Sequence, residues 1–183
     1  MRTLPNMTVI MPADFYAAKA LVKAAAEFDG PVYLRFTRDA VPVIYDESTT
    51  FEIGKAKELR EGKDIALIAN GDTVRLAVEA AERLAAKGIA ARVVDMHTIK
   101  PLDIDCVKDC IDSCGKIITV EDHNIMNGLG SAVAEVVAES GKGRLKRIGV
   151  QDQYGQSAPY ERLLEMNGIT VENIVSQAET LLN

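Results

Sequence analysis

The chain holds two histidines, His97 in DMHTIKPLD and His123 in TVEDHN, and each closely follows a carboxylate residue. Imidazole is the side chain whose ordinary titration falls near neutral pH, so each is a candidate general acid or base, and His97 is also a candidate phosphate donor. The competing reading of His97 is a hydrogen bond within its own loop. Asp122 beside His123 suggests an oriented acid–base pair. Neighbouring residues of a strand or loop point in different directions, however, so adjacency alone does not make one. RFTRDAVP offers anion binding instead: Arg38 lies beyond a strand end, where a guanidinium could hold a phosphate with forked hydrogen bonds or pair with Asp39 or Asp46. No serine or cysteine is placed as an obvious nucleophile.

Two further motifs are weighed against ligand chemistry. Cys106, Cys110 and Cys114 fall at i, i+4 and i+8 on one helical face. Three ligands in a row on a rigid helix cannot surround a tetrahedral metal, so they are expected beside a buried stripe of Ile104, Val107 and Ile111. In NGLGSAV, Gly128 and Gly130 follow a strand and open a helix, but a dinucleotide fingerprint needs a third glycine where Val133 stands. The pattern reads as a glycine turn that lets the helix start close to the sheet.

The elements that must position these residues follow from apolar period and punctuation. TVIMP, a helix capped by Asp14 with an apolar face of Ala17, Ala20, Leu21 and Ala24, and PVYLRF form a β-α-β unit. VPVIYDESTT loses periodicity and reads as a linker. A small antiparallel lead-in at Phe51–Leu59 then precedes buried strand Ile65–Ala69, with a helix capped by Asp72 or Thr73 and running to Lys87. Strand ARVVDM, helix DIDCVKDCIDSC, strand KIITVE, a helix over Leu129–Glu139 and strand RLKRIGV continue the alternation, and two helices end the chain. Strands separated by helices require parallel crossovers. The fold class is therefore α/β, with a three-layer, mostly parallel domain over residues 47–183 preceded by an incomplete β-α-β piece of a second α/β domain over residues 1–46. Two parallel strands and one helix cannot cover both faces of a sheet, so upstream sequence or another subunit is expected to complete the first piece. The carboxyl edge of the larger sheet gathers Asn70, Asp72, Asp95, His97, Glu121, Asp122 and His123, where parallel sheets usually bind ligands.

Bulk properties narrow the partners. The 183 residues are 48% hydrophobic and 26% charged, with a formal charge of -6. That charge argues against a nucleic-acid surface, and Lys142–Arg147 reads as a solvated turn. No apolar run approaches the length of a membrane span, and the expected location is cytoplasmic.

Several segments together resemble transketolase, specifically its carboxyl-terminal section in the shorter, split type whose catalytic unit is divided between two chains. LPNMTVIMPAD and GPVYLRFTRDAVP resemble the end of the family's pyrimidine-binding domain. ARVVDMHTIKPLD, TVEDHNIMNGLGSAVAEVVAE and GVQDQYGQSAPYERLLEMNGITVENIV resemble its carboxyl-terminal domain. The resemblance implies transfer of a two-carbon ketol unit between sugar phosphates, with thiamine diphosphate and magnesium, inside a complete enzyme. It implies an upstream section or subunit as partner, homodimer contacts, and no activity of this chain alone, because neither the family's metal-site motif nor its glutamate motif is present. Thr37 and Arg38 match the family's Ser/Thr-Arg pair, which implies that Arg38 binds the sugar phosphate. Asp39 and Ala40 depart from the Gln-Asn of many transketolases, and this bears on substrate preference. His97, Asp122 and His123 are then expected at a carboxyl-edge interface, without main catalytic roles. The alternatives are a β subunit of a 2-oxo-acid dehydrogenase, a deoxyxylulose-phosphate synthase fragment, and a non-catalytic assembly or small-anion-binding module. The ending YGQSAPYERLLEMNGIT favours transketolase over the first two.

Overall fold

A computed structural model describes residues 1–183 as two sheets. The central strand of the larger sheet, β4 (Ile65–Ala69), is buried at all five positions, as a strand covered on both faces must be. Its alternate side chains feed two separate cores. Ile65, Leu67 and Ala69 face a layer formed by α2 (Thr73–Ala85) and α6 (Val171–Leu182), whereas Ala66 and Ile68 face α3 (Ile104–Cys114) and α4 (Leu129–Ser140). Around β4 the order is β3 (Lys57–Arg60), β5 (Ala91–Asp95), β4, β7 (Lys116–Asn124) and β8 (Arg144–Val150), parallel except for the edge strand β3. The α/β class and the three layers thus agree with the sequence reading. A short helix, α5 (Tyr160–Met166), precedes α6, and no helix is long and apolar enough to cross a membrane.

Helix ends show where local chemistry decides. Asp103 caps α3 by accepting from the Cys106 amide, and Gly115 ends that helix in the left-handed region at φ 66°. Asp72 stands at the start of α2 without capping it; its carboxylate pairs with Arg75, and the Thr73 hydroxyl donates to the carbonyls of Asn70 and Val120. Helix α2 stops at Ala85, two residues before the expected end. Ile104 also departs from expectation. It is 47% exposed at the first turn of α3, while Cys110 and Cys114 are buried and Cys106 is half-buried. The covered part of α3 begins at Cys106 and Val107, and Ile104 precedes it.

The smaller sheet has the order β2-β1-β6, with β1 (Thr8–Ile10) and β2 (Val32–Leu34) parallel across helix α1 (Phe15–Glu27). Its third strand, β6 (Thr98–Lys100), falls between strand ARVVDM and helix DIDCVKDCIDSC, where the apolar period announces no strand. It pairs antiparallel with β1, so the larger unit lends a strand to the smaller one. The segment Thr98–Lys100 is too short to declare a period, and only its tertiary neighbour makes it a strand. The outer edge of β2 has no partner strand, and Phe15, Val22, Phe28 and Phe36 of this unit are exposed.

Asp14 ties α1 to the segment that leads into the larger unit. One carboxylate oxygen caps α1 by accepting from the Ala17 amide, and the other accepts from the amides of Ile44 and Tyr45, all at 2.8 Å. Because Asp14 is 4% exposed, its loss would leave three amides short of a partner. Asp14→Ala should therefore lower unfolding free energy by about 2–4 kcal/mol in urea titrations. A loss below about 1 kcal/mol would show that water replaces the carboxylate.

Candidate functional site

The two sheets meet where β2 ends. Pairing continues one residue past β2, with the Arg35 amide donating to the Ile10 carbonyl at 2.9 Å, and this aims the Arg35 side chain across the seam. There the guanidinium donates to both oxygens of Asp122, Nη1 to Oδ1 at 2.6 Å and Nη2 to Oδ2 at 3.0 Å. Such a forked pair has the fixed geometry that guanidinium and carboxylate share. Burial works against the charge on Arg35, but the bond and attraction from Asp122 outweigh it and raise its pKa. The Tyr160 hydroxyl donates to Asp122 Oδ2 at 3.3 Å, so α5 joins the same cluster.

Arg38 lies three residues further on and is exposed. It forms no ion pair with Asp39 or Asp46; Asp46 instead accepts from Ser48 and Thr49. With Arg35, Thr37, Asp39, Asp122 and Tyr160 it borders an open pocket of about 260 Å³. The Thr37 hydroxyl donates to the Asp39 carbonyl at 3.3 Å and holds the turn that presents Arg38.

The other residues singled out from sequence do not join this cluster. His123 is exposed, and its Nδ1 sits 2.8 Å from the Asn124 carbonyl, on the opposite side of the strand from Asp122. Strand β7 runs through both residues to Asn124, and its alternation separates them; there is no Asp122–His123 acid–base pair. His97 is wholly buried beside Phe51, with Nδ1 3.0 Å from the Thr98 hydroxyl. Burial holds its pKa down to about 4, so the ring is neutral at neutral pH. No group of three or more His, Cys, Asp or Glu side chains comes together that could hold a metal ion.

The sequence reading gave Glu121 no role beyond its place on the edge. Its buried carboxylate accepts from the Leu129 and Gly130 amides, both at 2.8 Å, at the start of α4. Burial raises its pKa, against the lowering by those two amides. This explains the glycines: a Cβ on Gly128 would lie 1.9 Å from Glu121 Oε2, and one on Gly130 would crowd Thr119 and Arg147. The expected close approach of helix and sheet is present, with a carboxylate filling the helix N-terminus. A glutamate preceding a Gly-x-Gly helix start is the signal that could have found it. Glu121 also lines a larger cavity of about 400 Å³ between the units, with Arg2, Tyr33, Asn70, His123 and Asn127.

Against this geometry, comparison with known proteins is decisive. Residues 54–174 match the family model described as the transketolase C-terminal domain, and residues 1–43 match the transketolase pyrimidine-binding domain. The chain belongs to the transketolase family. It is 44% identical over 180 residues to a putative transketolase C-terminal section of Methanocaldococcus jannaschii, covering 97% of this chain and 56% of that protein. It is 39% identical to the 6-deoxy-6-sulfo-D-fructose transketolase subunit SqwH of Clostridium sp. (strain MSTE9), covering 97% of this chain and 55% of that one. A solved structure described as a split gene transketolase, inactive beta4 tetramer, superposes with a TM-score of 0.96 at 43% identity, covering all of this chain and 60% of that one. This transketolase-family chain thus spans a little over half the length of these two relatives.

Two buried groups of the seam give opposed pH dependences. Asp95 is pushed up to about 7 by burial, against a bond from the Tyr45 hydroxyl at 2.8 Å, with Asp14 adding to the rise. The folded protein therefore keeps a proton on Asp95 that an unfolded chain loses near its ordinary value of 3.8, and stability falls as pH rises through that window. For His97 the sign reverses, because the unfolded ring titrates near 6.5 and the folded ring near 4, so stability rises with pH between them. Asp95→Asn should then make the thermal midpoint climb more steeply with pH between about 4 and 6.5 than in the parent protein, and His97→Gln should do the opposite. Parallel curves for all three proteins would mean that neither group is shifted. In a separate test, Gly128→Ala should cost about 2–4 kcal/mol in chemical denaturation, since the added methyl displaces a buried carboxylate from its two donors.

Proposed function

We propose that this chain is the carboxyl-terminal section of a thiamine diphosphate-dependent transketolase that moves a two-carbon ketol unit from a ketose phosphate to an aldose phosphate. The observation that carries the reading is Arg38: a guanidinium free of acidic partners, presented at the seam of the two units, in a chain of this family. Residues 1–46 would then be the tail of a pyrimidine-binding domain and residues 47–183 the C-terminal domain. The names of two relatives, a putative C-terminal section and a transketolase subunit, support a division of the enzyme between chains. The exposed phenylalanines of the smaller unit and its open strand edge suit cover by an upstream section or by a second copy.

The side chains present do not fit a magnesium–diphosphate site, because no three candidate ligands converge. Thiamine diphosphate and its metal would therefore be held by the partner section, where the cofactor supplies the carbanion chemistry. This chain's part is positional. Arg38 would hold the terminal phosphate of the sugar, and the Arg35–Asp122 pair would keep the strand end that carries Arg38 fixed against the larger unit. His97, Asp122 and His123 would serve packing and interface roles instead of proton transfer.

Three measurements test the proposal. Calorimetric titration of the isolated chain with thiamine diphosphate and magnesium should give no heat of binding; tight binding would put the cofactor site in this chain and refute the division of labour. In the enzyme reconstituted with its upstream section, Arg38→Ala should raise KM for a ketose phosphate donor roughly tenfold or more while changing kcat little, because a remote phosphate is bound alike in ground and transition states. An unchanged KM would remove Arg38 from the site. Using pentulose phosphate against a 2-oxo acid as donor in the same assay separates ketol transfer from the synthase and dehydrogenase readings.

A further inference from the structure

The pocket around Arg38 is walled by two guanidinium groups and two carboxylates, those of Arg35, Arg38, Asp39 and Asp122. Their formal charges cancel. Arg35 reaches the pocket, yet two of its donors are committed to Asp122 in the forked pair, and Nη1 also meets the Met11 sulfur at 3.1 Å. Asp122 is in turn held by Tyr160, and its side chain is 8% exposed. A carboxylate in this position could have been balanced by Arg38, leaving Arg35 free; the fold instead spends Arg35 and leaves Arg38 unpaired.

We propose that Asp122, reaching across from the larger unit, sets the anion selectivity of the Arg38 pocket by withholding Arg35 from a bound ligand. The pocket then presents a single guanidinium flanked by the Asp39 carboxylate. Such a site holds a sugar end group through one of its charges and gives little extra attraction to a second one, because each added ligand charge meets a near-neutral wall. Releasing Arg35 would convert the site into a two-guanidinium clamp of the kind that grips dianions. The inference rests on the proposed role of Arg38 and assigns a specificity function to a residue of the C-terminal unit that takes no part in the chemistry.

The test uses the full chain and two small probes, methanesulfonate as a monoanion and methyl phosphate as a mostly dianionic ester at pH 7.5. Binding is followed through the guanidinium carbon NMR signals of Arg35 and Arg38. In the parent protein the Arg38 signal should move with both probes, Arg35 should stay still, and the two affinities should lie within about threefold. In Asp122→Asn the Arg35 signal should move as well, and methyl phosphate should gain about tenfold over methanesulfonate. Asp122→Glu, which keeps a charge on the same guanidinium, should retain the parent ratio, and the double variant Arg35→Gln with Asp122→Asn should return to it. Should Arg38 respond to neither probe in any of these proteins, the phosphate-binding reading falls and this inference falls with it. An Arg38 response with an unchanged ratio in Asp122→Asn, or an Arg35 response in the parent protein, overturns the selectivity role alone.

Discussion

The ion pair between Arg35 and Asp122 joins the last residue of one sheet's pairing to the end of a strand in the other. Forming it costs desolvation of two charges, and the forked geometry together with the Tyr160 hydroxyl returns that cost locally. The reverse is the more important statement. Removing one partner leaves a largely buried charge alone, so the seam resists any arrangement that separates β2 from β7. The turn that presents Arg38 begins two residues beyond this anchor, and its position is inherited from it.

The same seam explains why so many polar groups are buried in a chain of ordinary composition. Strand β6 crosses to the smaller sheet, Asp14 gathers three amides, and Tyr45 reaches Asp95. Backbone that leaves one sheet to join another must find hydrogen bonds on the way, and side chains supply them where no ladder continues. His97 and Asp95 are caught in this packing. Their perturbed titration reflects burial without a converging reactive site, which is a reminder that a shifted pKa marks an environment before it marks a function.

Most of the fold was legible in the residues. Apolar runs such as IALIA and Asp14 at a helix start are local signals, and each element they announced is present in the expected order. The errors occurred where a local signal has two outcomes. TIKP could be turn or strand, and only β1 alongside it made it a strand. Ile104 shares the period of the apolar stripe but lies one turn before its first buried member, Val107. Sequence leaves the pairing of Asp122 with His123 open, and a strand that runs on to Asn124 sends them to opposite faces.

Sequence by itself determined the α/β alternation, the close helix start at Gly128 and the family, because these depend on residue periods, on steric demands of single residues and on the order of motifs. It also singled out Arg38 as an anion-binding candidate. Only the tertiary structure decided that Arg38 lacks an acidic partner while Arg35 has one, that Glu121 fills the helix start, and that the two units share a strand. These are pairings between residues 87, eight and about 90 positions apart, and the free energy of such contacts depends on the direction and burial of side chains, which no local period encodes.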